Sequence, residues 1–563
     1  MTIVRREASA PSASLQAAGW PPVLARVYAA RGIRDASELD HSLAALPNFA
    51  TFANIDAAAE RLAQAIAAHE RIVIVADYDA DGATACAVGV LGLRAMGANV
   101  GFLVPNRFEF GYGLTPEIVA VAAAGKPDVL VTVDNGIASV DGVAAAAAAG
   151  IDVIVTDHHL PGAALPTPAI IVNPNQAGCG FPSKHVAGVG VMFYVLCALR
   201  ARLRASGSFA GRSGPNLAEL LDLVALGTVA DVVRLDHVNR IFVEQGLARM
   251  RNGRARPGIA ALFAVAGRDI KRASASDLGF VTGPRLNAAG RLSDMSLGIQ
   301  CLLADSERAA EPLARELDRL NRDRRDIEAT MQDEALAEVA SGTFADTGAF
   351  TLCVHRPEWH QGVIGIVASR LKDRYHRPVI VFARGGDAEL RGSGRSIAGF
   401  HLRDALDLVT KRAPGVVIRF GGHAFAAGLS IVPGRLPEFI AAFEDVAHET
   451  LSDAQLQRVH ESDGALEPGE LTVELGATMG ECVWGQGFPA PAFDDTFDVV
   501  AQRVVGDGHA RLTVARGGER FTAIAFRTPA ALPPRIHALF RPEVNHWNGV
   551  ANLELVIDFW LPA

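Results

Sequence analysis

From residue 72 the chain alternates short β-branched apolar runs with longer Ala-rich stretches: RIVIVADYDADG is followed by ATACAVGVLGLRAMG, NVGFLVP, TPEIVAVAAAG, DVLVTVDNG, ASVDGVAAAAAAG and IDVIVTDHH. Runs that stay apolar instead of alternating predict strands buried on both faces, and the helical stretches between them predict a parallel sheet. Ligands of such sheets gather at the carboxyl ends of the strands, which is where the acidic residues of this stretch fall. After residue 186 the pattern turns helical, through AGVGVMFYVLCALRARLRA and NLAELLDLVALGTVADVV, and a loop-rich basic stretch then ends in GPRLNAAGRL.

The next segment, 301–345, carries Leu and Ala at heptad-like spacing among charges and predicts one long connecting helix, with Pro312 near its start. A second α/β unit is predicted over 346–454 from the strands AFTLCVHR and PVIVFAR, the helix GIVASRLKDRY and a closing GGHAFAAGLSI. Residues 455–563 show short alternating strands such as FDVVAQRV, ARLTVARG, RFTAIAFR and LELVIDFW, the pattern of a small β-barrel. With a parallel-sheet domain over 46–300 and an N-terminal segment, 1–45, that commits to no pattern, the fold class is α/β with a C-terminal barrel. No solenoid period is present.

A length of 563 residues suits three or four domains at roughly 100–200 residues each. The six cysteines (Cys86, Cys179, Cys197, Cys301, Cys353, Cys482) form no CxxC pair, which argues against a disulfide framework and a thiolate zinc site and fits a reducing cytoplasm. The N-terminus has no apolar core of a signal peptide, and the Ala-rich stretches are interrupted before they could span a bilayer, so neither export nor a membrane span is expected. A net charge of -9 opposes phosphate contact on average. Residues 436–500, however, hold fourteen Asp or Glu against Arg458 alone, which leaves the rest of the chain at +4. Residues 241–300 hold eight Arg and one Lys against four acids, a local basic surface, while the acidic segment suits protein partners better than DNA.

Chemistry concentrates at the strand ends. ADYDADG sets Asp77, Asp79 and Asp81 at alternate positions, where the chain leaving the sheet turns them toward one cleft and Gly82 permits a tight exit into a helix. Acids this close repel unless cations neutralise them, although Asp in a βα loop also serves simply as a helix cap. VTVDNG adds Asp134, and VIVTDHH adds Asp157, His158 and His159. Carboxylate and imidazole suit manganese, magnesium or zinc, and the His nitrogen favours Mn2+ over Mg2+. GTVADVV adds Asp231 among apolar neighbours, where an unpaired carboxylate is costly to bury. Together they predict a shared cation site. AGVGVMF has Phe193 where a dinucleotide fingerprint needs its third Gly, and no GxxxxGK is present, so no ATP dependence is expected.

ADYDADG, VPNRFEFGYGL, VDNG, VTDHH, GTVADVV, GPRLNAAGR, HQGVIGIVASR, SGRSIAGFHL, GGHAFAAGLS, NHWNG and DFW, in that order from about residue 45 onward, resemble the DHH phosphoesterases and, within them, the single-strand exonucleases. Asp157, His158 and His159 match the Asp-His-His that names the family. The resemblance implies a DHH domain, a DHH-associated substrate domain and an OB-like barrel. It implies two Mn2+ or Mg2+ ions held by Asp79, Asp81, Asp134, His158 and Asp231, with Asp134 bridging, and with Asp77 and His159 orienting ligands, binding phosphate or handling protons. Phosphate and strand contacts are implied for Gly421, Gly422 and His423, for Arg395 and Ser396, and for Arg285, Asn287 and Arg291. Phe108, Phe110 and Tyr112 follow a strand beside the cleft, where bases stack on aromatic rings for about 1–3 kcal/mol each, with Arg107 near the terminal phosphate; core packing is the alternative. GQGFPAPAF departs from the family's more polar form at Phe488 and Ala490.

The activity implied is 5′ to 3′ exonucleolytic hydrolysis of single-stranded DNA to mononucleotides, in DNA repair and recombination. The expected setting is a cytoplasmic monomer that meets a helicase or single-strand-binding protein. Two other readings remain open. One is a DHH hydrolase of oligoribonucleotides, cyclic dinucleotides or pyrophosphate, whose relatives usually lack the C-terminal barrel. The other is a non-catalytic replication scaffold, which has no need to keep every ligand.

Overall fold

The computed structural model describes residues 2–7, 10–106, 110, 113–211, 213–341, 348–386, 389–506, 508–547 and 550–563. The chain forms two compact units, Arg5–Asn321 with Glu461–Ala563, and Arg322–His460 with Met1–Val4.

In the larger unit, strands β1 (Arg71–Ala76), β2 (Asn99–Leu103), β3 (Val129–Val133), β4 (Asp152–Thr156) and β5 (Ile170–Val172) make one sheet in the order β2-β1-β3-β4-β5. Every neighbouring pair is parallel. The apolar runs have a direct cause in the packing. Ile72, Ile74, Val129, Val131 and Ile154 enter the core formed with α4 (Ala80–Ala95), α7 (Gly188–Ala205) and α8 (Leu221–Ala230). Val73, Val75, Leu130, Val153 and Val155 enter a second core with α5 (Pro116–Ala123) and α6 (Val140–Ala148). Alternate residues serve opposite faces and both faces are covered, so no polar alternation survives in the sequence. The chain leaves β1 for β2 on one side and returns to β3 on the other. That reversal opens a crevice beyond the carboxyl ends of β1 and β3.

The N-terminal segment, which shows no pattern in the sequence, is ordered by long-range partners. After α1 (Ala13–Ala17), helix α2 (Pro22–Ala30) buries Val23, Leu24, Val27 and Tyr28. Tyr28 stacks on Trp484 at 5.6 Å and on Phe488 at 6.2 Å, and the Arg240 guanidinium lies 4.3 Å from the Phe488 ring. Phe488, a departure from the family pattern, thus completes an aromatic stack. Arg31 and Asp463 form a buried ion pair, Arg6 reaches Asp463 at 3.0 Å and Glu461 at 2.9 Å, Arg26 reaches Glu470 at 3.2 Å, and Arg5 reaches Asp494 at 2.8 Å. Four acids of the run, Glu461, Asp463, Glu470 and Asp494, are thus paired within the fold.

Between α3 (Ile55–Ala67), which packs on α7, and the boundary of the unit, α9 (His237–Arg251) lies against α8, and α10 (Gly283–Leu292) follows a single π-helical turn, Leu278–Thr282. Helix α11 (Glu307–Ser341) runs from the larger unit into the smaller; it starts later than the predicted connector, and 342–347 lie outside the described residues.

The smaller unit has a sheet of β6 (Leu352–His355), β7 (Val379–Arg384), β8 (Leu390–Arg395), β9 (Val417–Gly422) and β10 (Ala426–Ile431) in the order β9-β10-β8-β7-β6. Helix α12 (Ile364–Tyr375) packs on β7 and β8, while α13 (Leu402–Arg412) and α14 (Leu436–Thr450) share a core with Phe382, Phe400 and Phe443. In the larger unit β11 (Phe493–Val505), β12 (His509–Arg516), β13 (Glu519–Ala525), β14 (Arg535–Trp547) and β15 (Val550–Pro562) close a barrel in the order β11-β12-β13-β15-β14. Barrel strands begin at Phe493, not near 455; the preceding residues include a helix, Val473–Glu481. Among the described residues no helix is long and apolar enough to cross a membrane.

Helix α10 meets the turn after β1 so closely that a Cβ on Gly290 would fall 1.9 Å from the Tyr78 carbonyl oxygen. Gly290→Ala is therefore expected to destabilise the protein by about 1–3 kcal/mol, the usual cost of overpacking, measured by chemical denaturation.

Candidate functional site

Each chemical group of the larger unit stands where an element of the sheet ends. Asp77 and Asp79 follow β1, Asp134 follows β3, Asp157, His158 and His159 follow β4, and Asp231 caps the carboxyl end of α8. Single atoms of Asp77, Asp79 and Asp134 lie within 4.8 Å of one another, as do those of Asp134, His158 and His159, and those of Asp81, His158 and Asp231. His158 Nε2 is 3.1 Å from Asp134 Oδ1 and 3.4 Å from Asp231 Oδ2. Asp134 is held at φ 62°, a conformation that L residues keep only where the surroundings enforce it.

The remaining bonds of these groups separate ligation from support. Asp79 Oδ1 caps α4 by accepting the Asp81 and Gly82 amides at 2.9 and 3.0 Å. Asp157 faces away from the cluster. Its Oδ2 accepts the Ile137 amide at 2.9 Å, and its Oδ1 accepts the His158 and His159 amides at 2.7 and 3.1 Å and bonds to His159 Nδ1 at 2.7 Å. That bond fixes the His159 ring and leaves its Nε2 for the cluster. The sequence expectation made Asp79 and Asp81 ligands and put Asp77 in or just behind the ligand shell. The structure places Asp77 in the triad with Asp79 and Asp134, whereas both Asp81 oxygens accept amides of α7, Gly188 at 2.7 Å and Val189 at 3.0 Å.

These carboxylates are difficult to ionise together. Burial, then the charges of Asp81, Asp79, Asp231 and Asp77, pushes the Asp134 carboxyl well above its ordinary range. Burial and the charges of Asp81, Asp79, Asp77 and Asp157 do the same to Asp231. Asp81 rises to about 7, through burial and the charge of Asp79 against the pull of the two α7 amides. Burial alone would lower His159; its bond to Asp157 and the charges of Asp157, Asp77 and Asp79 outweigh that and raise it to about 9. For Asp157, the imidazole bond and charge of His159 outweigh burial and hold the carboxyl low. A cluster that repels its own ionisation, built of carboxylates and imidazole nitrogens, fits hard or borderline divalent cations.

Two residues missed in the sequence hold the third strand end. Asn173 donates to the His159 carbonyl at 3.0 Å and Asn175 to the His158 carbonyl at 2.6 Å. Both follow β5 in the run IIVNPN, and the signal was available: a further strand end of the same sheet carrying polar residues.

The basic residues of GPRLNAAGR serve the fold more than expected. The Arg285 guanidinium is buried, contacting Asp318 at 2.8 Å and the Val281 carbonyl at 2.6 Å, so an internal ion pair holds the residue for which a strand contact is expected. Asn287 accepts the Ala80 amide at 2.9 Å and so braces the metal-side turn. Arg291 is half-buried on the same helix. Arg107, Phe108 and Tyr112 lie outside the described residues; Phe110 packs partly buried against the second core.

The smaller unit contributes a face of the opposite character. On β8 the side chains of Arg391, Ser393 and Arg395 share one side, while Leu390, Gly392 and Gly394 enter the core. Gly421, Gly428 and Ser393 align across β9, β10 and β8, and a Cβ at either glycine would meet open space, so the row is flat. A Cβ on Gly365, in the first turn of α12, would stand 2.8 Å from Ser393 Oγ and 3.0 Å from an Arg395 nitrogen, which sets the helix start beside them. Arg395 is largely buried and forms no ion pair among the described residues, so burial pushes it below the ordinary arginine value. Gly422 adopts φ 140° and the His423 amide donates to Ala426 at 2.8 Å, closing the hairpin beside Arg395, whose cross-strand partner is Ala426. Ser396 does not join this face: its hydroxyl donates inward to the Phe400 carbonyl at 2.7 Å. Two-residue alternation along the strand would have selected Ser393 in its place.

Comparison with known proteins agrees with this geometry. Three family descriptions match in order: DHH family, N-terminal domain over 71–228, DHHA1 domain over 346–449 and RecJ OB domain over 462–558. The single-stranded-DNA-specific exonuclease RecJ of Dickeya dadantii is 51% identical over 555 residues, spanning 96% of each chain. The crystal structure of RecJ from Thermus thermophilus in complex with Mn2+ matches at a TM-score of 0.82 and 31% identity, over 98% of this chain and 77% of that one. Its complex with Mg2+ matches at 0.76 and 30%, over 97% and 75%. A parallel-sheet DHH domain, a DHHA1 domain and a closed OB barrel, matched along nearly their whole length, mean that this chain belongs to the RecJ family of the DHH phosphoesterases.

Proposed function

We propose that the chain is a metal-dependent exonuclease specific for single-stranded DNA, releasing mononucleotides in the 5′ to 3′ direction during DNA repair and recombination. The observation that carries the reading is the convergence of Asp79, Asp81, Asp134, His158 and Asp231, joined by Asp77, on one crevice beside the sheet's reversal point. Those residues would hold two Mn2+ or Mg2+ ions, which when bound would supply an activated water and a counter-charge for the leaving oxygen in an in-line displacement at phosphorus. Asp134 belongs both to the group with Asp77 and Asp79 and to the group with His158 and His159. His159, fixed by Asp157, faces the scissile phosphate as a proton-handling or phosphate-binding group. Ser393, Arg395 and His423, with Gly421 and Gly422, take a backbone phosphate on the flat face of the smaller unit, where a guanidinium without an ion pair among the described residues, bonded only to the Ser393 hydroxyl and the Gly394 carbonyl there, and a helix start both favour an anion. Arg107, Tyr112 and Arg291 remain candidates for further strand contacts.

The barrel extends the track. Arg503 and Arg511 face each other across β11 and β12, near His509, whose ring meets that of the exposed Phe526 at 5.2 Å. Cation and aromatic together suit a single strand, whose bases stack without sequence preference. The barrel also weighs against a small-molecule hydrolase, and the retained ligand set weighs against a scaffold. A helicase or single-strand-binding protein as supplier of substrate, and action as a monomer in the cytoplasm, belong to the same reading; the six unpaired thiols fit that compartment.

Asp134→Asn is expected to abolish cleavage of end-labelled single strands while leaving the chain folded. The loss should exceed the roughly 10–100-fold typical of a residue that only orients a ligand. Cleavage of dinucleotides but not of longer strands would overturn the substrate assignment. Arg395→Ala is expected to weaken strand binding by about 1.5–3 kcal/mol, the worth of a hydrogen bond to a charged group, and to raise KM more than it lowers kcat in steady-state kinetics. The raised carboxyl values also fix a pH dependence. In the metal-free protein the folded state binds protons that the unfolded state releases, so stability is lost as pH rises from about 4 through the Asp81 value of about 7. Thermal unfolding in EDTA should show a lower Tm at pH 8 than at pH 5.5, and saturating Mn2+ should reverse that order.

A further inference from the structure

The sheet of the smaller unit ends on an open edge. β6 pairs with β7 on one side, and among the described residues no strand pairs with the other. Leu352 donates its amide to the Pro378 carbonyl at 2.9 Å, on the β7 side. By the two-residue period of a strand, Cys353 and His355 turn their amides to the open edge. Just before them the Glu444 carboxylate of α14 accepts the Phe350 and Thr351 amides at 2.6 and 2.9 Å, standing where the carbonyls of a further strand would stand. No described residue continues that role along Cys353 and His355, and His355 Nε2 lies closed to solvent with no hydrogen-bond partner among them. An unpaired edge of this kind is a template for another chain.

A cavity of about 520 Å³ runs along this edge. The consecutive residues Leu352, Cys353 and Val354 all line it, which places it on the edge, since a cavity over one face would meet alternate residues only. Two helices form its walls. The end of α11 gives Glu338 and Val339, and α14 gives Ile440, Glu444 and His448. Ile440 is 37% exposed, an apolar side chain left facing solvent beside the open amides. Apart from His448, none of the lining residues can carry positive charge. Ile440 and Glu444 also belong to the acidic run 436–500, and neither is among the residues paired with the N-terminal arm. Acidic walls repel a phosphate backbone, and they oppose a second copy, whose own edge would bring the same carboxylates against these. The occupant that fits is a segment of another protein that carries cations and apolar side chains.

We propose that this edge is a docking site for a second protein: an extended segment of Lys or Arg alternating with β-branched residues adds as a further strand beside β6. Its backbone meets the Cys353 and His355 amides and its cations meet Glu338 and Glu444. Main-chain bonds supply the affinity of such a strand, and the flanking side chains supply its selectivity. The probe is the peptide fluorescein-Arg-Val-Lys-Val-Arg-Val-Lys-amide, titrated into the full chain by fluorescence anisotropy beside its counterpart with Glu at every basic position. The basic peptide should bind at least about tenfold more tightly than the acidic one. Residue-resolved amide hydrogen exchange should slow at Cys353 and His355 when the basic peptide saturates the chain. Ile440→Lys, which sets a cation in the groove, should weaken the basic peptide by about tenfold and leave cleavage of single strands unchanged. Unslowed exchange at both amides under saturating basic peptide would overturn the proposal, as would equal binding of the two peptides or no binding up to about 1 mM. Slowing of the same amides by raised chain concentration alone would assign the edge to a second copy, and slowing by a single-stranded oligonucleotide would assign it to nucleic acid; either result sinks the peptide site.

Discussion

Mutual repulsion among buried carboxylates at the reversal point of a parallel sheet is the constraint that the rest of the larger unit answers. Asp77, Asp81 and Asp134 are all buried, and each raises the cost of ionising its neighbours. An apolar sheet covered on both faces offers them little solvent. What offsets the cost is supplied piecemeal by backbone: the start of α4 to Asp79, the start of α7 to Asp81, and three amides to Asp157. These donors keep the acids in place without neutralising them, and the residual negative potential is what a pair of divalent ions would satisfy.

The smaller unit solves the inverse problem. There the buried ionic group is a guanidinium, Arg395, set beside a helix start and a row of glycines. One unit concentrates negative charge at its strand ends; the other sets a guanidinium without an ion pair among the described residues beside a helix start. The two arise on sheets of different topology, parallel in one and mixed in the other.

The sequence was legible wherever local periodicity and packing agree. The five strands of the first sheet, their covering helices and the acidic strand ends follow from unbroken apolar runs and from the tendency of polar residues to gather where such strands end. What stayed hidden depends on partners far away in the chain. Asp79 and Asp81 look equivalent in ADYDADG, and only the arrival of α7 shows that Asp81 is taken up by amides. Arg285 reads as a strand contact until Asp318 is brought against it. Ser396 directly follows Arg395 in its motif, but the strand's alternation turns Ser393 outward and Ser396 toward the Phe400 carbonyl. The first 45 residues carry no local pattern because their partners are distant: acids and aromatics near the other end for residues 5–31, and His237, Arg240 and Gln245 for residues 38–41.

That last arrangement bears on how the molecule is made. Arg31 and its carboxylate partner Asp463 are 432 positions apart. At typical ribosomal speeds of roughly 5–20 residues per second, the basic arm emerges on the order of tens of seconds before the acids that receive it. During synthesis the sheet and its crevice can close while the arm is still loose, so the N-terminal helices dock as a late step in biogenesis and act as the fastener of a nearly finished domain.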